Sequence, residues 1–217
     1  RSEIAIREMI KMKITEMFLT PNKYSRPGIK LEKVEKIAVH YVGNPKSTAK
    51  NNRDYFENLK DTHARYVSAH FIIGLNGEVI QCIPLNEWSY CTNQANGYSI
   101  SIECCHPDAT GKFNKATEDS LVELCAYLCK KFELTSDDVI RHYDVTGKQC
   151  PLWYVTHPED YTAFKNRVKA ALSTAEKPAE DGKLYYVQVG AFSSKANAEA
   201  YLKKVKADYP NAFIKTM

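Results

Sequence analysis

Long apolar runs are missing from this 217-residue chain: none reaches the ~20 residues needed to cross a bilayer core. The N-terminal "RSEIAIREMIKMKITEMF" interleaves charged with apolar residues and so lacks the uninterrupted core of a secretion signal. There is no CxxC pair, which removes the usual basis for a thiol oxidoreductase. Excess charge is missing too. Thirty basic against 26 acidic residues leave a net +4, compatible with an anionic surface but too small to commit the chain to nucleic acid. With 9 glycines and 9 prolines, composition is neither collagen-like nor disordered.

Seven cysteines are present, an odd number that leaves at least one outside any internal disulfide. Cys104 and Cys105 are adjacent, Cys125 and Cys129 are four apart, and Cys82, Cys91 and Cys150 are scattered, so no regular disulfide framework emerges. This usage fits folding in a reducing cytoplasm, with most cysteines acting as small buried hydrophobes.

Two segments of different character flank "STAEKPAEDGK", residues 173–183, which holds Pro178, Gly182 and alternating charges but no large apolar side chain. The reading is a large domain over 12–172, a linker over 173–183 and a small module over 184–217, with 1–11 as an extra segment ahead of a natural start at Met12. In the large segment "VEKIAVHYVG" and "YSISIECC" read as strands. "SAHFIIGLNGEVIQCIP" reads as a hairpin with a type I′ turn at Asn76-Gly77. Residues 50–66 suggest a polar helix packing through Tyr55, Phe56 and Leu59. From Thr117, taken as N-cap, Leu121, Leu124, Cys125, Leu128 and Phe132 follow helical spacing. A last helix places Tyr161, Phe164, Val168 and Leu172 on one face. The expected class is α/β, a mixed central sheet flanked by helices.

Chemistry concentrates in "RHYDVTGKQCP", residues 141–151, read as a loop that brings His142, Lys148 and Cys150 together. Imidazole and thiolate are zinc ligands, and a catalytic zinc takes three protein ligands. His40, at the end of an apolar strand, is the best third candidate. Glu103, ending "SISIE", is a candidate general base, and Lys148 a candidate for stabilising an oxyanion. Spacing alone leaves the choice between a metal site and a polar turn open. His70, among apolar neighbours, is assigned to structure.

In their order along the chain, "VHYVG", "SAHFII", "SISIECC" and "RHYDVTGKQCP" resemble the zinc-dependent N-acetylmuramoyl-L-alanine amidases of the amidase-2 type. These include phage endolysins and are related to peptidoglycan-recognition proteins. The resemblance spans about residues 35–170. It implies Zn2+ held by His40, His142 and Cys150, assisted by Glu103 and Lys148. The implied reaction cleaves the amide between N-acetylmuramic acid and L-alanine in bacterial peptidoglycan. The chain departs from some members at Ala69, where they carry tyrosine, and at Ser89, where many read histidine after tryptophan. Trp88 is a candidate substrate contact, with a half-buried structural role as the alternative.

"YVQVGAF", residues 186–192, is similar to the motif of SPOR domains, which bind peptidoglycan. One strand–helix–strand, half the usual repeat, is expected here, with Tyr186, Gln188 and Phe192 as wall contacts and pairing of two halves into a homodimer. The resemblance implies a phage or prophage endolysin made in the cytoplasm, released by a holin and acting at the cell wall. It implies neither a nucleic-acid partner nor stable membrane insertion. A host autolysin and a non-catalytic peptidoglycan receptor on the same fold are the alternatives.

Overall fold

The structure, a computed structural model, describes residues 13–174, 190–206 and 212–214. The chain divides into two units, the larger ending at Glu176 and the smaller starting at Lys177.

The larger unit is built on a six-stranded sheet. Its strands are β1 (Ile14–Glu16), β2 (Lys36–Tyr41), β3 (Phe71–Ile73), β4 (Val79–Gln81), β5 (Ser99–Cys104) and β6 (Val139–Arg141). Their spatial order is β1-β4-β3-β5-β2-β6, and β3/β4 is the antiparallel pair among otherwise parallel neighbours. The helices are α1 (Ala49–Thr62), α2 (Lys115–Phe132), α3 (His142–Thr146), α4 (Leu152–Thr156) and α5 (Pro158–Thr174). This is the mixed sheet with flanking helices that the sequence pattern implied.

Period-2 alternation sends side chains to two cores. Ile37, Val39, Ile100, Ile102 and Cys104 pack with Leu121, Leu124, Cys125 and Leu128 of α2 and Phe164 and Val168 of α5. Ile72 and Ile80 pack on the other side with Phe56 and Leu59 of α1. A fully buried side chain such as Ile102 contributes about 1.5–3 kcal/mol relative to an exposed one. Cys125 and Cys129 lie fully buried in the α2 stripe. Glu118 joins the helices on that face, accepting from Tyr154 Oη at 2.7 Å and from Arg167 at 2.6 Å.

Three local expectations need correction. The β3/β4 hairpin exists, but its turn is not type I′, because Gly77 alone of the turn residues takes a left-handed φ, +80°. Gly74 N–H donates to Glu78 O and Gly77 N–H to Gly74 O. Glycine therefore serves as the bulge position of a three-residue loop. The N-cap of α2 is Asn114 rather than Thr117; Thr117 is the N3 residue, whose N–H donates to Asn114 Oδ1 at 2.9 Å. The 141–151 stretch is not an open loop, since α3 opens at His142 and closes on Gly147 at φ +76°.

In the smaller unit the helix is α6 (Lys195–Val205), with the Phe192 ring 5.3 Å from that of Tyr201. Of the second strand expected at residues 211–215, residues 212–214 carry no strand and the others lie outside the described residues. Tyr186 and Gln188, and the extra segment 1–11, lie outside the described residues. Among the described residues no helix is long and apolar enough to cross a membrane.

Candidate metal centre

Three parallel strands, β5, β2 and β6, end side by side, and ligand sites in open α/β sheets lie at such carboxyl ends. His40 is the fifth residue of β2 and pairs in register with Glu103, the fifth of β5. Residues in register on adjacent strands project to the same face, so the strand pairing itself puts an imidazole beside a carboxyl group. His142 follows β6 directly, on the other side of β2.

Cys150 is delivered by a fold-back. Gly147 ends α3, and Tyr143 N–H then donates to Cys150 O at 3.0 Å, returning the chain to the helix that begins with His142. Arg141 braces the turn, bonding Asp144 through its side chain at 2.7 Å and donating to Tyr154 O at 2.9 Å.

The three side chains converge. His40 Nδ1 lies 3.1 Å from His142 Nδ1 and 3.6 Å from Cys150 Sγ, and all three residues are buried. A tetrahedral zinc with Zn–N of about 2.0–2.1 Å and Zn–S of about 2.3 Å requires ligand edges of about 3.3 Å (N···N) and about 3.6 Å (N···S). Both edges that His40 makes lie close to these values, and all three donor atoms fall within 4.8 Å of one another, so the donor set fits such an ion. His40 Nε2 lies 2.9 Å from Thr92 Oγ1, a contact in which an Nε2–H donor would leave Nδ1 to present a lone pair to the cluster.

Burial controls the electrostatics. His40 is held well below the usual imidazole value by desolvation, then by His142 and Lys148. His142 is lowered to about 4 by desolvation and by Lys148. Desolvation pushes the Cys150 thiol up to about 12, with the Glu103 charge adding to it. Glu103 is pushed up to about 8 by desolvation, against the hydrogen bond from Cys91 and the charge of Lys148. Neutral imidazoles beside an acid and a thiol that are costly to ionise form a set whose anionic members a dication would favour.

Two buried polar atoms here have no hydrogen-bond partner, Glu103 Oε2 and His142 Nε2. Lys148 lies on the exposed stretch after Gly147, near enough that its charge acts on both histidines and on Glu103. Trp88 is half-buried against the α2-side core, with its ring over Gly97. His70 is fully buried, its Nε2–H donating to Glu87 O at 2.8 Å and its Nδ1 accepting from Ser101 N–H at 3.1 Å.

Sequence reasoning missed Cys91, Thr92 and Asn96. They sit on the 90–98 loop, which carries no periodicity, and only the folded chain brings them to His40 and Glu103. Asn96 Oδ1 accepts from the N–H groups of both Cys91 and Thr92, at 3.1 and 2.7 Å. Ser101 had a signal, since Ser99, Ser101 and Glu103 are the polar phase of an alternating strand.

The family model described as N-acetylmuramoyl-L-alanine amidase matches residues 30–153. This chain belongs to the amidase-2 family. A SPOR domain model matches residues 158–217, starting at the first residue of α5. The chain is similar to N-acetylmuramoyl-L-alanine amidase BlyA of Bacillus subtilis (strain 168), 37% identical over 180 residues, which cover 73% of this chain and 47% of that protein. It is also similar to N-acetylmuramoyl-L-alanine amidase CwlL of Bacillus licheniformis, 34% identical over 174 residues, or 74% of this chain and 48% of that one. The chain thus spans about half the length of the curated relatives it matches. Among solved structures, PlyL superposes with a TM-score of 0.64 at 25% identity, covering 74% of this chain and 99% of that one.

Proposed function

We propose that this member of the amidase-2 family hydrolyses the amide joining the lactyl group of N-acetylmuramic acid to L-alanine in bacterial peptidoglycan. His40 Nδ1, His142 Nδ1 and Cys150 Sγ would hold the zinc ion. One observation carries the reading: three ligand atoms converge at zinc-compatible separations beside a carboxyl group whose second oxygen is buried and unpartnered. The names of BlyA and CwlL support the same bond specificity.

Zinc, when bound, supplies Lewis acidity that polarises the carbonyl and makes water nucleophilic near neutral pH. Glu103 Oε2 takes the proton from the attacking water and returns it to the departing alanine nitrogen. Lys148 contributes positive charge where the carbonyl oxygen becomes anionic. Thr92 keeps His40 in the tautomer and orientation that leave Nδ1 free.

A non-catalytic receptor on this fold would need neither the Cys150 thiol nor the adjacent carboxyl group, so both weigh toward catalysis. An endolysin role is supported by the likeness to a structure described as a mutant endolysin from Bacillus subtilis, 25% identical with a TM-score of 0.62. In this reading the SPOR-like tail adds a second contact to the wall, with the exposed Phe192 in reach of glycan.

Two variants test the assignment on a soluble N-acetylmuramoyl pentapeptide. Glu103→Ala should keep its zinc and lose turnover by about 10²–10⁴-fold, the usual worth of a general base. Cys150→Ser should lose metal and activity together. Full activity in either variant, or loss of zinc from Glu103→Ala, would overturn the corresponding role.

A further inference from the structure

The 90–98 loop holds a side chain that the mechanism above does not use. Among the seven cysteines, all of them in described residues, Cys91 is the one that is not buried by the measure of its whole residue. Its sulfur nevertheless points inward, with Sγ donating to Glu103 Oε1 at 3.6 Å. The other carboxyl oxygen, Oε2, is buried and without a partner. Rotation of a carboxyl group about its last bond is soft, so which oxygen faces a reacting molecule is decided by whatever holds the other.

The thiol is itself held in place. Its backbone is pinned by Asn96, and the Ser101 side chain acts on its thiol electrostatically. Ser101 is anchored in turn, with Oγ 2.7 Å from Ser89 Oγ and 3.1 Å from His70 Nδ1. Ser101 and Glu103 lie two residues apart on β5 and share its polar face. A run of polar neighbours therefore leads from buried His70 through Ser101 and Cys91 to Glu103. The next residue, Thr92, engages His40 Nε2. One dipeptide thus touches both a metal-ligand candidate and the general-base candidate.

We propose that Cys91 is a positioning residue for Glu103: its thiol holds Oε1 and thereby aims Oε2 at the reacting water. This role rests on the amidase reading given above. A thiol suits it because S–H is a weak donor, able to orient a carboxylate while only partly offsetting the basicity that burial gives Glu103.

The test uses the zinc-loaded full chain on soluble N-acetylmuramoyl pentapeptide, with kcat, KM, zinc content and unfolding temperature measured for wild type, Cys91→Ala and Cys91→Ser. Losing one hydrogen bond to a charged group should lower kcat of Cys91→Ala by about tenfold. KM and zinc content should stay within about twofold of wild type, since Cys91 is not among the three proposed ligands, His40, His142 and Cys150. Cys91→Ser, which restores a donor, should recover most of the loss with no matching change in unfolding temperature. A wild-type kcat in Cys91→Ala overturns the proposal, as does an equal kcat loss in both variants that tracks zinc loss. A wild-type protein that binds zinc but frees no L-alanine-bearing peptide overturns the amidase reading itself, and the Cys91 role with it.

Discussion

Withdrawing zinc should lower the unfolding temperature of the larger unit, and Cys150→Ser should abolish that dependence. A ligand that binds only the folded state stabilises it by about 2.7 kcal/mol when its free concentration is a hundredfold its Kd. The unit runs from Glu3 to Glu176, a size at which 1 kcal/mol moves Tm by about 2–4 °C, so zinc should raise Tm by about 5–11 °C. The protonation states add a second, independent magnitude. Both imidazoles are kept neutral by burial, whereas the Cys150 thiol, pushed up to about 12, carries its proton at neutral pH. Loading should therefore release about one proton per zinc from Cys150, and up to one more from Glu103, which at about 8 also holds its proton at neutral pH. Differential scanning calorimetry with chelator and with zinc gives the first quantity. Titration calorimetry in buffers of different ionisation enthalpy gives the second. A Cys150→Ser protein with an undiminished zinc-dependent rise, or proton release near zero in the wild type, would refute the ligand assignment.

Three further outcomes follow from particular contacts. Thr92→Val keeps the side-chain shape but leaves His40 Nε2 without its partner; zinc affinity in a competition titration should fall by about 10–100-fold, and an unchanged affinity would remove Thr92 from the site's support. Lys36, hydrogen-bonded at 2.6 Å, holds the Asp138 carboxyl down to about 2 from 3.8. A depressed carboxyl stabilises the fold above its unfolded value and loses that contribution as pH falls from about 4 toward 2. The full contribution would be about 2 kcal/mol, and solvent screening brings it to about 1 kcal/mol. Asp138→Asn should flatten the stability slope in that window by this amount, and an unaltered slope would contradict the pairing. Sedimentation at working concentration tests the expected pairing of two tails, for which a dimer dependent on residues 184–217 is the predicted result and a monomer the contrary one.

Much of the site was legible before folding because its signals are periodic. The alternation in "SISIEC" separates Ser99, Ser101 and Glu103 from the core-facing Ile100, Ile102 and Cys104. His40 could be recognised as the end of an apolar strand, and the strand register then set it beside Glu103. What escaped was aperiodic. Helices α3 and α4 are five residues each, too short to display a helical repeat. Strand β1 is three residues long and pairs in parallel with β4, an arrangement without local signature. The turn type at Asn76-Gly77 was misjudged because the same dipeptide serves two hairpin geometries, and the flanking pairing selects between them. Cys91, Thr92 and Asn96 act through contacts to residues on other strands, which no local pattern encodes.

The central claim concerns which bond is cut, so the most direct test is mass spectrometry of purified peptidoglycan digested by zinc-loaded and by chelator-treated protein. The account predicts free stem peptides beginning with L-alanine in the zinc sample alone, with no new reducing sugar ends. Products with new reducing ends, or intact glycan carrying bound protein, would contradict it.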